Sequence, residues 1–257
     1  MSKKNNALKN ESIAKVGAEL DFASSEAYNR LRMNLSFAVP DKPFGKIIGI
    51  TSAVPAEGKS YTAINLAYAL AKNGLKVLLV DGDMRRPTIA NKLGLPSRPG
   101  LSNMLIRQVD NAIVQSPLHG NMNVLVSGTT PPNPSELIGI PEMQRLLEVF
   151  AHQYDYVIID LPPVNSVSDP VVISRFIDGM IVVCRHGHAQ KRDITDTVRQ
   201  LEFCNVKILG FVYNGYSNKT RYYRHSKYGK YGKYYNNYGY GAQAQKPVAD
   251  NGANELK

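Results

Sequence analysis

The stretch Lys46 to Ser60, KIIGITSAVPAEGKS, constrains this chain more than any other. Ile47, Ile48, Gly49 and Ile50 form a short apolar run, of the kind that makes a parallel strand covered on both faces. A loop of small residues follows and ends in Gly58-Lys59-Ser60. Beyond it Ala63, Ile64, Leu66, Ala67, Leu70 and Ala71 recur at helical spacing as far as Asn73-Gly74, a helix stop. A loop between a strand and a helix N-terminus offers backbone N–H groups and the positive end of the helix dipole to a phosphate. In such a loop Lys59 reaches the β- and γ-phosphates and the Ser60 hydroxyl ligates Mg²⁺, the arrangement of the Walker A motif G-x-x-x-x-G-K-[ST]. The expected cradle comprises Ala53, Val54, Pro55, Ala56, Glu57, Gly58, Lys59, Ser60 and Tyr61. It departs from the motif twice: Ala53 replaces the first glycine, and Pro55 removes one loop N–H. A bare GKS can arise by chance, but here the flanking strand and helix supply the context the motif requires.

At 257 residues and 43% hydrophobic, the chain can bury the core of one sizeable α/β domain, and nothing suggests two. No apolar run approaches the ~18–20 residues of a membrane span, and the start, MSKKNNALKNES, has no signal-type apolar segment. A soluble, cytoplasmic protein is expected. Cys184 and Cys204 are too few for a disulfide framework or a metal site and read as reduced and structural. The net charge of +10 is uneven: after Tyr216, eight Lys or Arg face only Asp250 and Glu255, a balance of +6.

Taken in order, residues 1–20 are polar and weakly patterned and read as a mobile arm. Ser24-Ser25-Glu26 then caps an amphipathic helix with Ala27, Leu31, Leu35 and Ala38 on one face, ending before Pro40. Its charged positions, Glu26, Arg30 and Arg32, suit a solvated face as readily as an interface. Leu75 to Val80 is a second buried strand, closed by Asp81-Gly82-Asp83-Met84-Arg85-Arg86-Pro87. Carboxylates there lie at the crevice where open α/β sheets bind ligands, so Asp81 and Asp83 can meet one metal–phosphate site, although Asp is also common in loops. A short helix is expected around Leu101 to Ile106, a strand around Met122 to Val126, a proline-rich loop SGTTPPNPSELI, and a helix from Pro141 to about His152. Tyr156 to Asp160 is a third buried strand, and its terminal Asp160 suits a Walker B carboxylate for Mg²⁺. A helix from Asp169, a strand at Met180 to Cys184, a helix at Lys191 to Phe203 and a strand at Ile208 to Tyr213 complete the pattern. Strands alternating with helices predict a doubly wound, mostly parallel sheet of the P-loop NTPase type. Asn214, just past the last strand, is placed to contact an adenine edge or simply to make a turn.

Nine of the chain's 15 tyrosines lie between Tyr216 and Tyr240, among Gly, Asn, Lys and Arg and without helical or strand period. Residues 216–257 therefore read as a disordered basic tail that cannot build a core. Such a segment can stack on nucleic acid, tether to a membrane surface, or present tyrosines for phosphorylation.

From about Glu26 to Tyr240 the chain resembles the bacterial tyrosine kinases of the capsule and exopolysaccharide type, in the form whose kinase is separate from its membrane activator. AVPAEGKS resembles that family's Walker A, VLLVDGDMRRP its second "A-prime" motif and VIIDLPP its Walker B, and the SGTTPPNPSELI loop and terminal tyrosine cluster are also similar. The resemblance implies a kinase domain over residues 21–215 that uses ATP and Mg²⁺ to phosphorylate tyrosine, largely in trans between subunits. By matched position, Lys59 holds phosphate, Ser60 and Asp160 serve Mg²⁺, and Asp81 and Asp83 assist the metal and the attacking phenol, with Asp81 the proton acceptor. Arg85 would neutralise transition-state charge. The implied phosphoacceptors are Tyr222, Tyr223, Tyr228, Tyr231, Tyr234, Tyr235, Tyr238 and Tyr240. The implied partners are a transmembrane activator (a polysaccharide co-polymerase protein) that recruits the kinase to the inner face of the membrane, and a phosphotyrosine phosphatase. A ring of identical subunits that disassembles on phosphorylation is implied too. Its E-x-x-R-x-x-R helix pattern is read here as Glu26, Asn29 and Arg32, with Arg30 on a different azimuth. No nucleic-acid partner is expected. A partition or division-site ATPase is the alternative, but its signature lysine would stand where this chain has Val54. A nucleic-acid-binding P-loop protein rests on the tail alone.

Overall fold

The computed structural model describes residues 15–215. The expected phosphoacceptor tyrosines and the basic tail lie outside the described residues, as do residues 1–14.

Seven strands form one sheet in the order β3-β4-β2-β5-β1-β6-β7, where β1 is Lys46–Ser52, β2 Val77–Asp81, β3 Val114–Gln115, β4 Met122–Leu125, β5 Tyr156–Asp160, β6 Gly179–Arg185 and β7 Ile208–Asn214. Every pairing is parallel except that of β3 with β4. The alternation of side chains along each strand divides the core between the two faces. Ile48 and Ile50 of β1, Val77 and Leu79 of β2 and Tyr156 and Ile158 of β5 face α1 (Phe22–Ala38) and α2 (Lys59–Lys72). Ile47, Leu78, Val80, Val157 and Ile159 face the other way, onto Met143, Leu147 and Phe150 of α6 (Pro141–Gln153) and Leu201 of α8 (Lys191–Phe203). A sheet covered on both faces needs apolar residues at every strand position, which is why β1, β2 and β5 read as unbroken apolar runs. The remaining short helices are α3 (Ile89–Leu93), α4 (Leu101–Leu105), α5 (Pro134–Ile138) and α7 (Asp169–Ile173).

The start of the fold differs from expectation. The cap of α1 is Asp21, whose carboxylate accepts the Ser24 N–H at 2.7 Å, so the helix begins before the serines expected to cap it. Its inward face carries Tyr28, Leu31 and Leu35, while Ala27 is exposed. The last residues of the expected arm are folded: Gly17–Glu19 makes a 3₁₀ turn, and the buried Gly17 donates its N–H to Asn65 Oδ1 of α2 at 2.8 Å. α3, α5 and β3 were not foreseen as elements. Among the described residues, no helix is long and apolar enough to cross a membrane.

Register brings the site together. β5 lies between β2 and β1, with Asp81 of β2 paired beside Asp160 of β5, and Asp160 in turn beside Ile50 of β1. Two carboxylates and the start of the Gly58 loop thus share the C-terminal edge of three adjacent strands.

Candidate active site

The loop between β1 and α2 turns on two left-handed residues, Ala56 at φ 62° and Gly58 at φ 94°. Gly58 is required on both counts: it tolerates that φ, and a Cβ there would lie 2.0 Å from Asn214 Nδ2. Asn214 donates from Nδ2 to the Glu57 carbonyl at 3.0 Å, and its Oδ1 accepts the Gly215 N–H at 2.8 Å. Both ends of its amide therefore hold backbone in this structure, although Asn214 does line the cavity described below. The loop is further braced from β6. The Arg185 N–H donates to Glu57 Oε2, and His188 Nε2 pairs with the Pro55 carbonyl at 2.9 Å. The Glu57 side chain is fully buried behind the loop, and Ala53 is buried with it, so neither offers a side chain to a ligand.

On the inner side of the loop, Lys59 Nζ lies 3.0 Å from Asp83 Oδ2 and 3.5 Å from Asp160 Oδ1. Burial alone would lower the Lys59 pKa, but the charges of Asp160 and Asp83 outweigh it and hold it above the usual lysine value. Asp81 is wholly buried. Its Oδ2 accepts the Thr88 and Ile89 N–H groups at 3.1 and 3.0 Å, and Oδ1 accepts that of Asp83 at 3.3 Å. Burial, then the charge of Asp160, pushes its pKa up to about 7 despite those bonds. Asp160 is also pushed up by burial, against the pull of Lys59 and the nearby Ser60 hydroxyl.

Among the described residues, neither buried Asp160 oxygen has a hydrogen-bond partner, and Lys59 at 3.5 Å is its one ion-pair contact. A buried carboxylate left so is costly unless something binds it. With Asp81, Asp83 and Asp160 all ionised, three carboxylates against the Lys59 ammonium leave two negative charges in excess, the complement of one divalent cation. The chemistry of the donors, a serine hydroxyl and aspartate oxygens, suits Mg²⁺.

Lys59, Ser60 and Asp83 line a cavity of about 770 Å³ that Pro55, Ala56, Gly58, Tyr61 and Asn214 also border. Of the expected site residues, Asp81 and Asp160 stand just behind its wall at the strand ends. Arg85 lines the cavity, yet its guanidinium grips the buried Asp169 through Nε and Nη2, both at 3.1 Å, and Ser135 Oγ at 2.8 Å. In this structure it ties the loop after β2 to α5 and α7. Sequence reading missed Arg86, Thr88 and Lys92, which also line the cavity. Their signal was present in the run Arg86-Pro87-Thr88 and in the basic residue four further on, but α3 had not been recognised as an element that returns to the site. Glu26, Arg30 and Arg32 lie on α1. Glu26 accepts from Asn29 Nδ2 at 2.9 Å, Arg30 borders a groove between α1, α2 and β7, and Arg32 Nε is buried without a hydrogen-bond partner among the described residues.

A strand–loop–helix phosphate cradle, set beside aspartates at the ends of the two neighbouring strands of a doubly wound sheet, defines a P-loop nucleoside-triphosphatase domain. A family model described as an AAA domain matches residues 45–186. The tyrosine-protein kinase YwqD of Bacillus subtilis is 38% identical over 193 residues, covering 75% of this chain and 81% of that protein. The tyrosine-protein kinase etk of Escherichia coli is 35% identical over 74% of this chain but only 26% of its own length. The solved kinase domain of E. coli tyrosine kinase ETK superposes with a TM-score of 0.72 at 33% identity, over 81% of this chain and 80% of that one. The chain belongs to the bacterial tyrosine-protein kinases.

Proposed function

We propose that this kinase transfers the γ-phosphoryl group of ATP, bound with Mg²⁺, to its own tyrosines between Tyr222 and Tyr240, acting in trans between copies, and that it thereby controls capsular or exopolysaccharide synthesis and export. The observation that carries this reading is the Lys59–Asp83–Asp160 cluster, with its unpartnered buried Asp160 oxygens, under a phosphate cradle. Asp160 and Ser60 would hold the ion, whose charge offsets that developing on the phosphates. The N–H groups after Gly58 receive the phosphates, and Lys59 leaves Asp83 for the γ-phosphoryl oxygens. Asp83 is then free to orient the incoming phenol. A tyrosine hydroxyl, with its pKa near 10, arrives protonated at neutral pH and needs a base. Asp81, with a pKa near 7, has the right proton affinity for that task. A second assignment, to Asp83, is favoured by geometry, since Asp83 lines the cavity while the Asp81 oxygens are held by three N–H groups. Asp81→Asn and Asp83→Asn separate the two: with Asp81 as the base, Asp81→Asn abolishes the rise of rate with pH near 7 and Asp83→Asn keeps it.

A membrane-spanning activator is the partner that fits the family, and it would recruit the kinase to the inner face of the cell membrane. A phosphotyrosine phosphatase would reverse the modification. Transfer in trans is tested by mixing the full-length Lys59→Met protein with an active chain truncated after Gly215. Phosphotyrosine on the inactive full-length chain is the expected result. None on it, with the truncated enzyme demonstrably active on an added tyrosine peptide, overturns the trans arrangement.

A further inference from the structure

The expected arginine at the transferring phosphoryl group, Arg85, faces Asp169 instead. The same cavity nevertheless carries donors that have no anionic partner among the described residues. Lys92 of α3 places its ammonium 4.4 Å from the centroid of the Tyr61 ring. Among the described residues it has no carboxylate within ion-pair distance. Burial lowers its pKa, while Asp160 and Asp81 pull it back up, so it feels the catalytic carboxylates without being paired to them. Thr88, at the head of α3, has a buried Oγ1 with no hydrogen-bond partner among the described residues, while its N–H is fixed on Asp81. The exposed Arg86 side chain borders the same space, and its backbone N–H donates to Asp83 Oδ1 at 2.9 Å.

A part-buried ammonium without a carboxylate partner and a buried, unpartnered hydroxyl border one cavity, with the exposed Arg86 guanidinium at its rim, and together they call for an anion. Tyr61 directly follows Lys59 and Ser60 at the start of α2, so its ring sets the Lys92 ammonium beside the phosphate loop, while the Thr88 N–H ties the head of α3 to Asp81. We propose that Lys92 and Thr88, with Arg86 at the rim, receive the phosphoryl group as it passes to the acceptor tyrosine, and that the Tyr61 ring is a positioning residue that seats the Lys92 ammonium. This inference rests on the kinase reading above and assigns its missing transition-state cation.

In the step so described, the bond from phosphorus to the ADP oxygen breaks and its electron pair leaves with ADP. A bond from phosphorus to the phenolic oxygen forms, and the phenolic proton passes to the Asp81–Asp83 pair. Lys92 and Thr88 contact the equatorial oxygens, where charge spreads during transfer. The aromatic seat keeps Lys92 clear of the neighbouring acids, with which it would otherwise form a closed ion pair.

The test is steady-state transfer from ATP to a tyrosine peptide, with ADP binding measured by calorimetry in parallel, on the full chain. Lys92→Met should lower kcat about 100-fold, the scale for removing one preorganised donor, and leave the Kd for ADP within about twofold. Lys92→Arg should restore part of the rate. Thr88→Val replaces an unpartnered hydroxyl with a methyl group, so it should keep the fold and lower kcat about tenfold. Tyr61→Leu removes the aromatic seat and should resemble Lys92→Met. Wild-type transfer by Lys92→Met overturns the inference and leaves the kinase reading intact. Equal loss of ADP binding and of transfer overturns it as well, by making Lys92 a nucleotide-site residue. Wild-type protein that makes no phosphotyrosine would instead remove the kinase reading itself.

Discussion

Asp160 concentrates the tension in this site: a fully buried carboxylate whose ion-pair partner, Lys59, stands 3.5 Å away and is shared with Asp83. Burial raises the pKa of Asp160, and that of Asp81 to about 7, above the ordinary aspartate value of 3.8. The folded chain thus keeps protons that the unfolded chain releases. The stability they contribute is complete below the unfolded pKa, about 4, and fades as pH rises through the folded one. Asp160→Asn should therefore be nearly neutral in ligand-free protein at pH 4 and stabilising at pH 8. About 1–3 kcal/mol is expected there, the scale of relieving one buried unsatisfied group. Urea unfolding at the two pH values checks this, and a variant no more stable than wild type at pH 8 would contradict it. The same substitution should abolish the stabilisation that Mg²⁺ with ADP gives to wild type, read as a rise in Tm.

At the scale of elements, the phosphate loop is held from outside by the ends of β6 and β7 rather than by its own sequence. Gly58→Ala should weaken nucleotide binding about 100-fold while leaving the Tm within a few degrees, because the loop is displaced and the core is untouched. Adding Asn214→Gly removes the 2.0 Å clash and should recover part of the affinity, the remaining loss reflecting the positive φ. Binding of a fluorescent ADP analogue measures both; an unaffected Gly58→Ala would refute the brace. The apolar runs of β1, β2 and β5 and the periodicity of α2, α6 and α8 were legible in the sequence, because those elements are long or buried on both faces. So were the residues at the strand ends, Asp81 and Asp160, which follow directly from strand placement. What was not legible depended on short segments returning from far along the chain. Five-residue α3 brings Lys92 to the site, buried Asp169 captures Arg85, and the cap at Asp21 precedes the more conspicuous serines. Neither a five-residue helix nor a salt bridge across 84 residues leaves a periodic trace.

For the whole molecule, residues 216–257 add +6 to a body that is only mildly basic. Each tyrosine phosphate contributes about −1.5 to −2 at neutral pH, so four of them would bring roughly −6 to −8 and reverse the sign of the segment. Unmodified, so basic a segment would be attracted to the negative charge at the Lys59–Asp83–Asp160 cluster of a second copy; modified, it would be repelled. Sedimentation should show a larger assembly for unphosphorylated than for phosphorylated protein, with the difference shrinking in salt. An assembly indifferent to phosphorylation would exclude the switch. All of this depends on the cluster moving phosphate to tyrosine. The direct measurement is incubation of the purified full chain with γ-labelled ATP and Mg²⁺, followed by identification of the labelled amino acid. Label on tyrosine in wild type, and none in Lys59→Met folded to the same Tm, is the predicted result. Label on serine or threonine, or undiminished labelling of Lys59→Met, would contradict the account.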